Sequence, residues 1–211
     1  KIFKTTVIEA YGMTEATHQM TSNPMPPEKQ KDGFVGKQSG PEVFIMDAQG
    51  NKLDSGVDGE VCIRGDNVTN GYENNEEANK AAFINGWFRT GDQGHFDDEG
   101  YLKISGRLKE IINRGGEKVS PLEVDNILME HEAVEQVVTF AVKDNLLGEA
   151  IGVAIVLKSG IDCKEIDIKN YASKHLADFK IPKYIRFLEE IPKGATGKLQ
   201  RIGLAEKLGL E

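Results

Sequence analysis

Gly106-Arg107-Leu108-Lys109-Glu110-Ile111-Ile112-Asn113-Arg114-Gly115-Gly116-Glu117-Lys118 gathers basic side chains and glycines around one short apolar pair, Ile111-Ile112. Arg107, Lys109, Arg114 and Lys118 suit an anionic ligand such as a phosphate. Glycine tolerates positive φ and lets the backbone approach a ligand closely. Read alone, the same segment is equally a solvated charged turn. It also separates two stretches of different character. Residues 1–105 carry a net charge of −7 and residues 106–211 a net charge of −1. The change predicts a domain boundary here, with domains at residues 1–106 and 107–211.

Upstream of the boundary the chain reads as short strands and turns. Val7-Ile8-Glu9-Ala10-Tyr11 is strand-like and cut by Gly12. Residues 23–33, with Pro24, Pro26, Pro27 and Gly33, form a polar loop. Val43 to Met46 is a buried strand, and Gly59 to Gly65 alternates like a half-buried one. Residues 75–83 make a helix candidate, and Asp98-Glu99-Gly100 turns a hairpin. Such a pattern predicts a small barrel-like or sandwich subdomain.

Downstream the pattern changes to α+β. Ser120-Pro121-Leu122-Glu123 places a Ser N-cap, a Pro at the first helical position and a Glu at the third, which opens a helix. Val124, Ile127 and Leu128 share one face of it. Strands are predicted at residues 134–142, 150–157 and 184–188. A helix at 163–176 turns Ile168, Tyr171, Ala172 and Leu176 inward. The predicted fold class is therefore α+β, a short β-rich subdomain followed by a small α+β domain.

Bulk properties exclude several functions. A net charge of −8 argues against indiscriminate nucleic-acid binding. No apolar run approaches the ~20 residues of a membrane-spanning helix. Two cysteines, Cys62 and Cys163, make neither a disulfide framework nor a CxxC metal spacing. A reducing, cytoplasmic setting is the simplest expectation.

Three further motifs carry chemistry. Tyr11-Gly12-Met13-Thr14-Glu15 offers a glycine turn, a hydroxyl and a carboxylate suited to phosphate and Mg²⁺. Phe88-Arg89-Thr90-Gly91-Asp92 offers an Asp after a Gly turn, able to accept two hydrogen bonds from a ribose diol. Lys193-Gly194-Ala195-Thr196-Gly197-Lys198 is a Gly-rich loop ending in a lysine. It is no Walker A loop, because the GxxxxGK[ST] spacing is absent. Each has a plain structural alternative: a capping pair, a turn-stabilising Asp and a solvated tail lysine.

Taken in order, these segments with Gly59 to Gly65 and Gly106 to Glu123 resemble the acyl-activating, adenylate-forming superfamily of acyl-CoA synthetases, luciferases and peptide-synthetase adenylation domains. The resemblance implies a two-step ATP-dependent acid–CoA ligase, with ATP, Mg²⁺, coenzyme A and a small carboxylic acid as partners. It implies that Tyr11 stacks near adenine, Thr14 touches phosphate and Glu15 binds Mg²⁺, with Gly12 among the cofactor-binding residues. Asp92 and Arg107 would hold the ribose, and Lys198 would bridge carboxylate and α-phosphate. Lys109 would be the pivot of a C-terminal lid, and Gly116 and Lys118 would swing in for the thioester step.

The superfamily's Ser/Thr/Gly-rich phosphate loop does not occur in these residues. The chain therefore resembles the C-terminal part of such an enzyme, whose N-terminal domain is a further expected partner, and it is expected to be inactive alone. His18-Gln19-Met20 and Ser22-Asn23-Pro24 resemble the oxalate–CoA ligases of yeast and plants, where this histidine faces the substrate. Medium-chain or aryl acyl-CoA ligation is the alternative activity. A non-catalytic interaction module of the same fold is the alternative class. A packed structural histidine is the alternative for His18.

Overall fold

A computed structural model describes residues 4–194, 197 and 199–210. The chain divides into two compact units, Lys1–Leu108 and Lys109–Glu211.

The first unit is built on two antiparallel sheets. Strands β1 (Ala10–Met13), β2 (His18–Ser22) and β3 (Lys37–Gln38) form the smaller one. The larger holds β4 (Glu42–Met46), β5 (Gly59–Arg64), β6 (Phe83–Ile84), β7 (Trp87–Phe96) and β8 (Leu102–Arg107) in the order β4-β5-β7-β6, with β8 also paired to β7. Val35 N–H donates to the Leu102 carbonyl, and Leu102 N–H to the Gly36 carbonyl, both at 2.8 Å. These two bonds tie the strand lead-in of the small sheet to β8. Helix α1 (Glu76–Ala82) is N-capped by Asn75, whose Oδ1 accepts from Ala78 N–H at 3.1 Å.

Sequence expectations fail for two strands, β1 and β5. The first strand begins at Ala10, not Val7, and runs through Gly12 instead of stopping there. The β1–β2 register shifts between Tyr11 and Gly12, a bulge that lets the strand continue. β5 does not alternate: Glu60, Val61, Cys62 and Ile63 are all buried. Two different clusters explain this. Val61 and Ile63 pack with Met20, Val43, Phe88 and Leu102, while Cys62 packs with Met46 and Trp87 on the opposite face. Burial raises the Cys62 thiol to about 12, so it behaves as a small apolar side chain.

The second unit is a sheet with both faces covered. A hairpin of β9 (Ile112–Arg114) and β10 (Glu117–Val119) joins β12 (Gly148–Leu157), which pairs along its length with β11 (Val134–Asp144). β13 (Tyr184–Phe187) adds parallel to β12 after the crossover helix α3 (Glu165–His175). Helix α2 (Pro121–Met129) starts at Ser120, whose Oγ accepts from Glu123 N–H at 3.4 Å, as the capping motif predicts. Val124 and Leu128 from α2 and Ile168 and Ala172 from α3 bury against Val137, Ile151, Val153 and Ile155. The other face packs Val138, Phe140, Val142 and Ala154 on Ile191, Leu204 and Leu210, around the short helix α4 (Leu204–Lys207). Fully burying each such side chain contributes about 1.5–3 kcal/mol. Double coverage explains why β12 reads as one continuous apolar run.

Candidate functional site

The β7–β8 ladder assembles the first constellation. Asp92 and Arg107 are cross-strand partners, and Arg107 Nε donates to Asp92 Oδ1 at 2.9 Å. Tyr11 on β1 donates its hydroxyl to Asp92 Oδ2 at 2.5 Å. Burial raises the Asp92 carboxyl above its ordinary value, against the pull of the Tyr11 hydroxyl and Arg107. Burial, with Asp92 beside it, pushes the Tyr11 phenol well above its ordinary range. Tyr11 therefore stays protonated and donates to the carboxylate.

Asp92 does not follow a turn, as the sequence suggests. Thr90, Gly91 and Asp92 lie inside β7, where the register against β5 shifts between Glu60 and Cys62. Gly91 sits in the bulge with φ +74°. The bulge is pinned on both sides. Thr90 Oγ1 donates to the Val61 carbonyl at 2.8 Å and accepts from Asp92 N–H at 3.1 Å. Glu60 accepts from Gly91 N–H at 3.1 Å and pairs with Arg89 at 2.7 Å. A bulge re-aims a side chain, and here it aims Asp92 at Tyr11 and Arg107. Glu60 and Thr90 are supporting residues that sequence reasoning missed. Nothing in the pattern marks them, since their part depends on the register shift.

Gly12 is likewise strand, not turn. A Cβ at Gly12 would stand 1.4 Å from the His18 carbonyl oxygen, so only glycine admits this approach. His18 has φ +85° and Thr17 φ +52°, both in the sparsely occupied left-handed region. Thr17 Oγ1 donates to the Asn67 carbonyl at 2.9 Å, and Asn67 Nδ2 to the Ala16 carbonyl at 2.8 Å. These bonds hold the unusual backbone. The imidazole it presents is exposed in this chain.

Glu15 lies in a one-turn 3₁₀ helix, Thr14–Ala16. Its Oε1 accepts from the Tyr72 hydroxyl at 2.9 Å. Burial and then Glu15 raise the Tyr72 phenol, so it too remains a donor. Thr14 is exposed, with its hydroxyl unengaged among the described residues. Among the described residues no cluster of three or more metal-ligating side chains occurs.

In the second unit, Lys109 is exposed in the 3₁₀ turn Leu108–Glu110, at the point where the two units divide. Gly115 and Gly116, with φ +63° and +96°, close the β9–β10 hairpin, as a two-residue turn with both φ positive requires. A Cβ at Gly116 would meet nothing within 4 Å, so backbone conformation, not crowding within the unit, demands this glycine. Lys118 is exposed on β10. Lys198 lies outside the described residues.

The comparisons decide the family. The AMP-binding enzyme family matches residues 1–73, and the AMP-binding enzyme C-terminal domain matches residues 123–198. This chain is 51% identical to the oxalate–CoA ligase of Saccharomyces cerevisiae over 208 residues, 98% of this chain and 38% of that one. The chain belongs to the adenylate-forming AMP-binding enzymes. A second relative of this AMP-binding chain, the oxalate–CoA ligase of Arabidopsis thaliana, is 52% identical over 94% of it and 39% of the relative. Among solved structures, ATP-bound MatB from Rhodopseudomonas palustris superposes with a TM-score of 0.88 at 32% identity. That match covers 95% of this chain and 40% of MatB. The AMP-binding chain thus spans about two fifths of the length of these relatives. No helix of its described residues is long and apolar enough to cross a membrane.

Proposed function

We propose that this chain forms part of an ATP-dependent, AMP-forming acid–CoA ligase acting on oxalate or a similarly small diacid. The observation that carries the reading is the buried Asp92, held by Tyr11 and Arg107, in a chain that belongs to the AMP-binding enzymes. A carboxylate whose partner is a half-exposed arginine can exchange water for ribose hydroxyls without being stranded. Identity to two oxalate–CoA ligases supports the acid, and so does an exposed histidine held by a left-handed backbone. An imidazole N–H at His18 can donate to the second carboxylate of a diacid.

In the first step the acid's carboxylate oxygen attacks the α-phosphorus of ATP and pyrophosphate leaves. Two anions must meet, and Lys198 is the residue assigned to offset their repulsion. Asp92 fixes the ribose and Tyr11 borders the base, so the α-phosphate is held in line. In the second step the thiol of coenzyme A attacks the acyl carbonyl and AMP leaves. The unit division at Leu108/Lys109 supports Lys109 as the pivot between the steps, with Gly116 and Lys118 carried on the moving hairpin. Glu15 fits a single-carboxylate Mg²⁺ site, since one of its oxygens is left over after the bond to Tyr72. Mg²⁺ bound there would take phosphate oxygens and water as its other ligands and neutralise phosphate charge. A preceding domain of the same protein would supply most of the acid pocket.

A pyrophosphate-release screen of the full-length protein tests this. Oxalate is expected to give the highest rate among small diacids, aryl acids and fatty acids, and this chain alone is expected to give none. No release with any of these acids would leave the interaction-module reading standing. Lys198→Ala should abolish the first step yet keep thioester formation from preformed acyl-adenylate.

A further inference from the structure

Lys198 belongs by sequence to the glycine-rich stretch Lys193 to Lys198. Lys193 and Leu199 are bridged antiparallel, and Gly197 N–H donates to the Gly194 carbonyl at 2.9 Å. The loop is thus closed at its base, and two residues beyond that base stands Arg201. Its guanidinium reaches three elements at once. Nε donates to Glu110 Oε2 at 3.0 Å. Nη1 pairs with Asp125 Oδ2 at 2.6 Å and donates to the Thr139 carbonyl at 3.0 Å. Asp125 Oδ1 in turn accepts from Thr139 N–H at 2.7 Å. The 3₁₀ turn that contains Lys109, helix α2 and strand β11 therefore meet on the side chain of Arg201, two residues beyond the Lys193–Leu199 bridge.

The side chain of Arg201 is 15% exposed and that of Asp125 11%. At this burial the desolvation of two charges offsets most of their attraction, so stability alone gives little reason for the pair. Fixed geometry gives a better one. The guanidinium fork is rigid and holds Glu110 and Asp125 in set directions, which a lysine ammonium on a flexible stem cannot do. A reacting group displaced by about 1 Å loses about 10²-fold in rate. A loop containing Gly194 and Gly197 needs such an anchor.

We infer that Arg201 is a positioning residue, which holds the Lys193–Leu199 bridge, on either side of which the chain leads to Lys198, in fixed register with the turn at Lys109 and with the α2–β11 core. The inference rests on the ligase reading given above. It assigns to Arg201 an effect on acyl-adenylate formation, the step that uses Lys198, and little effect on the thioester step.

The test uses the full-length ligase with Arg201→Lys and, as a second variant, Asp125→Asn. Each half-reaction is measured separately: acid-dependent ATP–pyrophosphate exchange, and thioester formation from preformed acyl-adenylate. Thermal unfolding of each variant is measured alongside. The expected result is a fall of about 10–100-fold in kcat for adenylation, with thioester formation per folded molecule within about threefold of wild type. A merely structural role would depress both half-reactions in proportion to the folded fraction, and that result would overturn the inference. Unchanged adenylation in Arg201→Lys would overturn it too, while leaving the ligase reading intact. If the wild-type protein performs neither half-reaction, the ligase reading fails and takes this one with it.

Discussion

Asp92 and Asp125 are nearly equally buried, with side chains 8% and 11% exposed, and each is paired with an arginine. Their arginines differ. Arg107 is 58% exposed and gives Asp92 one N–H, whereas Arg201 is 15% exposed and is shared among Asp125, Glu110 and the Thr139 carbonyl. Burial raises both carboxyls, and the arginine opposes it in both. The same ion pair thus occurs in an open and a closed form. In the open form the arginine can turn its unused donors to a ligand, and solvent replaces the partner if the pair separates. In the closed form the arginine's donors are taken up by Asp125, Glu110 and the Thr139 carbonyl, and little solvent reaches the pair. One pair is built to receive something, the other to hold the chain together.

The strongest way to break this contrast is to strand each arginine. Asp125→Ala leaves Arg201 buried with part of its pairing gone, and should cost about 3–5 kcal/mol in urea unfolding. Asp92→Ala leaves Arg107 in solvent, and its cost should stay near that of the lost Tyr11 bond, about 1–2 kcal/mol. Equal losses would erase the distinction. Ligand binding sharpens it from the other side. Asp92→Asn keeps shape and removes charge, and should weaken AMP binding to the full-length protein about tenfold, or about 1.4 kcal/mol by calorimetric titration. Asp125→Asn should leave AMP affinity unchanged.

The smallest expected effect concerns pH. Because Asp92 and Asp125 are raised, their ionised forms oppose folding, and the stability they contribute falls as pH rises through the folded pKa. Asp144 has the opposite sign. Lys183 at 2.6 Å and the backbone N–H groups of Leu147 and Leu146 lower its carboxyl from 3.8 to about 2. Its stabilisation is present above pH 3.8 and is lost as pH falls towards about 2. Asp144→Asn should flatten the fall in Tm across that window. An unchanged slope would remove Asp144 from the acid limb.

The sequence made part of this visible. Ser120-Pro121-Leu122-Glu123 announces α2 because a cap is a local event, and β12 announces itself because a doubly covered strand is apolar throughout. The hairpin β9–β10 was harder to see. Its strands are short and mostly exposed, so only the Gly115-Gly116 pair signals it. At the candidate site, the motifs mark Asp92 and Arg107 as neighbours of one ligand. Their direct pairing depends on the β7–β8 register and on the bulge at Gly91, which no local pattern encodes. Arg201 was illegible for a stronger reason. Its partner Glu110 lies 91 residues away, and nothing in the sequence near either residue points to the other.

The Arg201 cluster also bears on how pieces of these enzymes can be exchanged. Glu110, Asp125, Thr139 and Arg201 all lie beyond Leu108, within one compact unit. A chimera joined between Leu108 and Lys109 transplants the four as one matched set. A junction only two residues later, after Glu110, would graft a foreign side chain against the Arg201 fork, however similar the two donors are elsewhere. The workable seam is therefore set by a side chain near the far end of the transplanted piece.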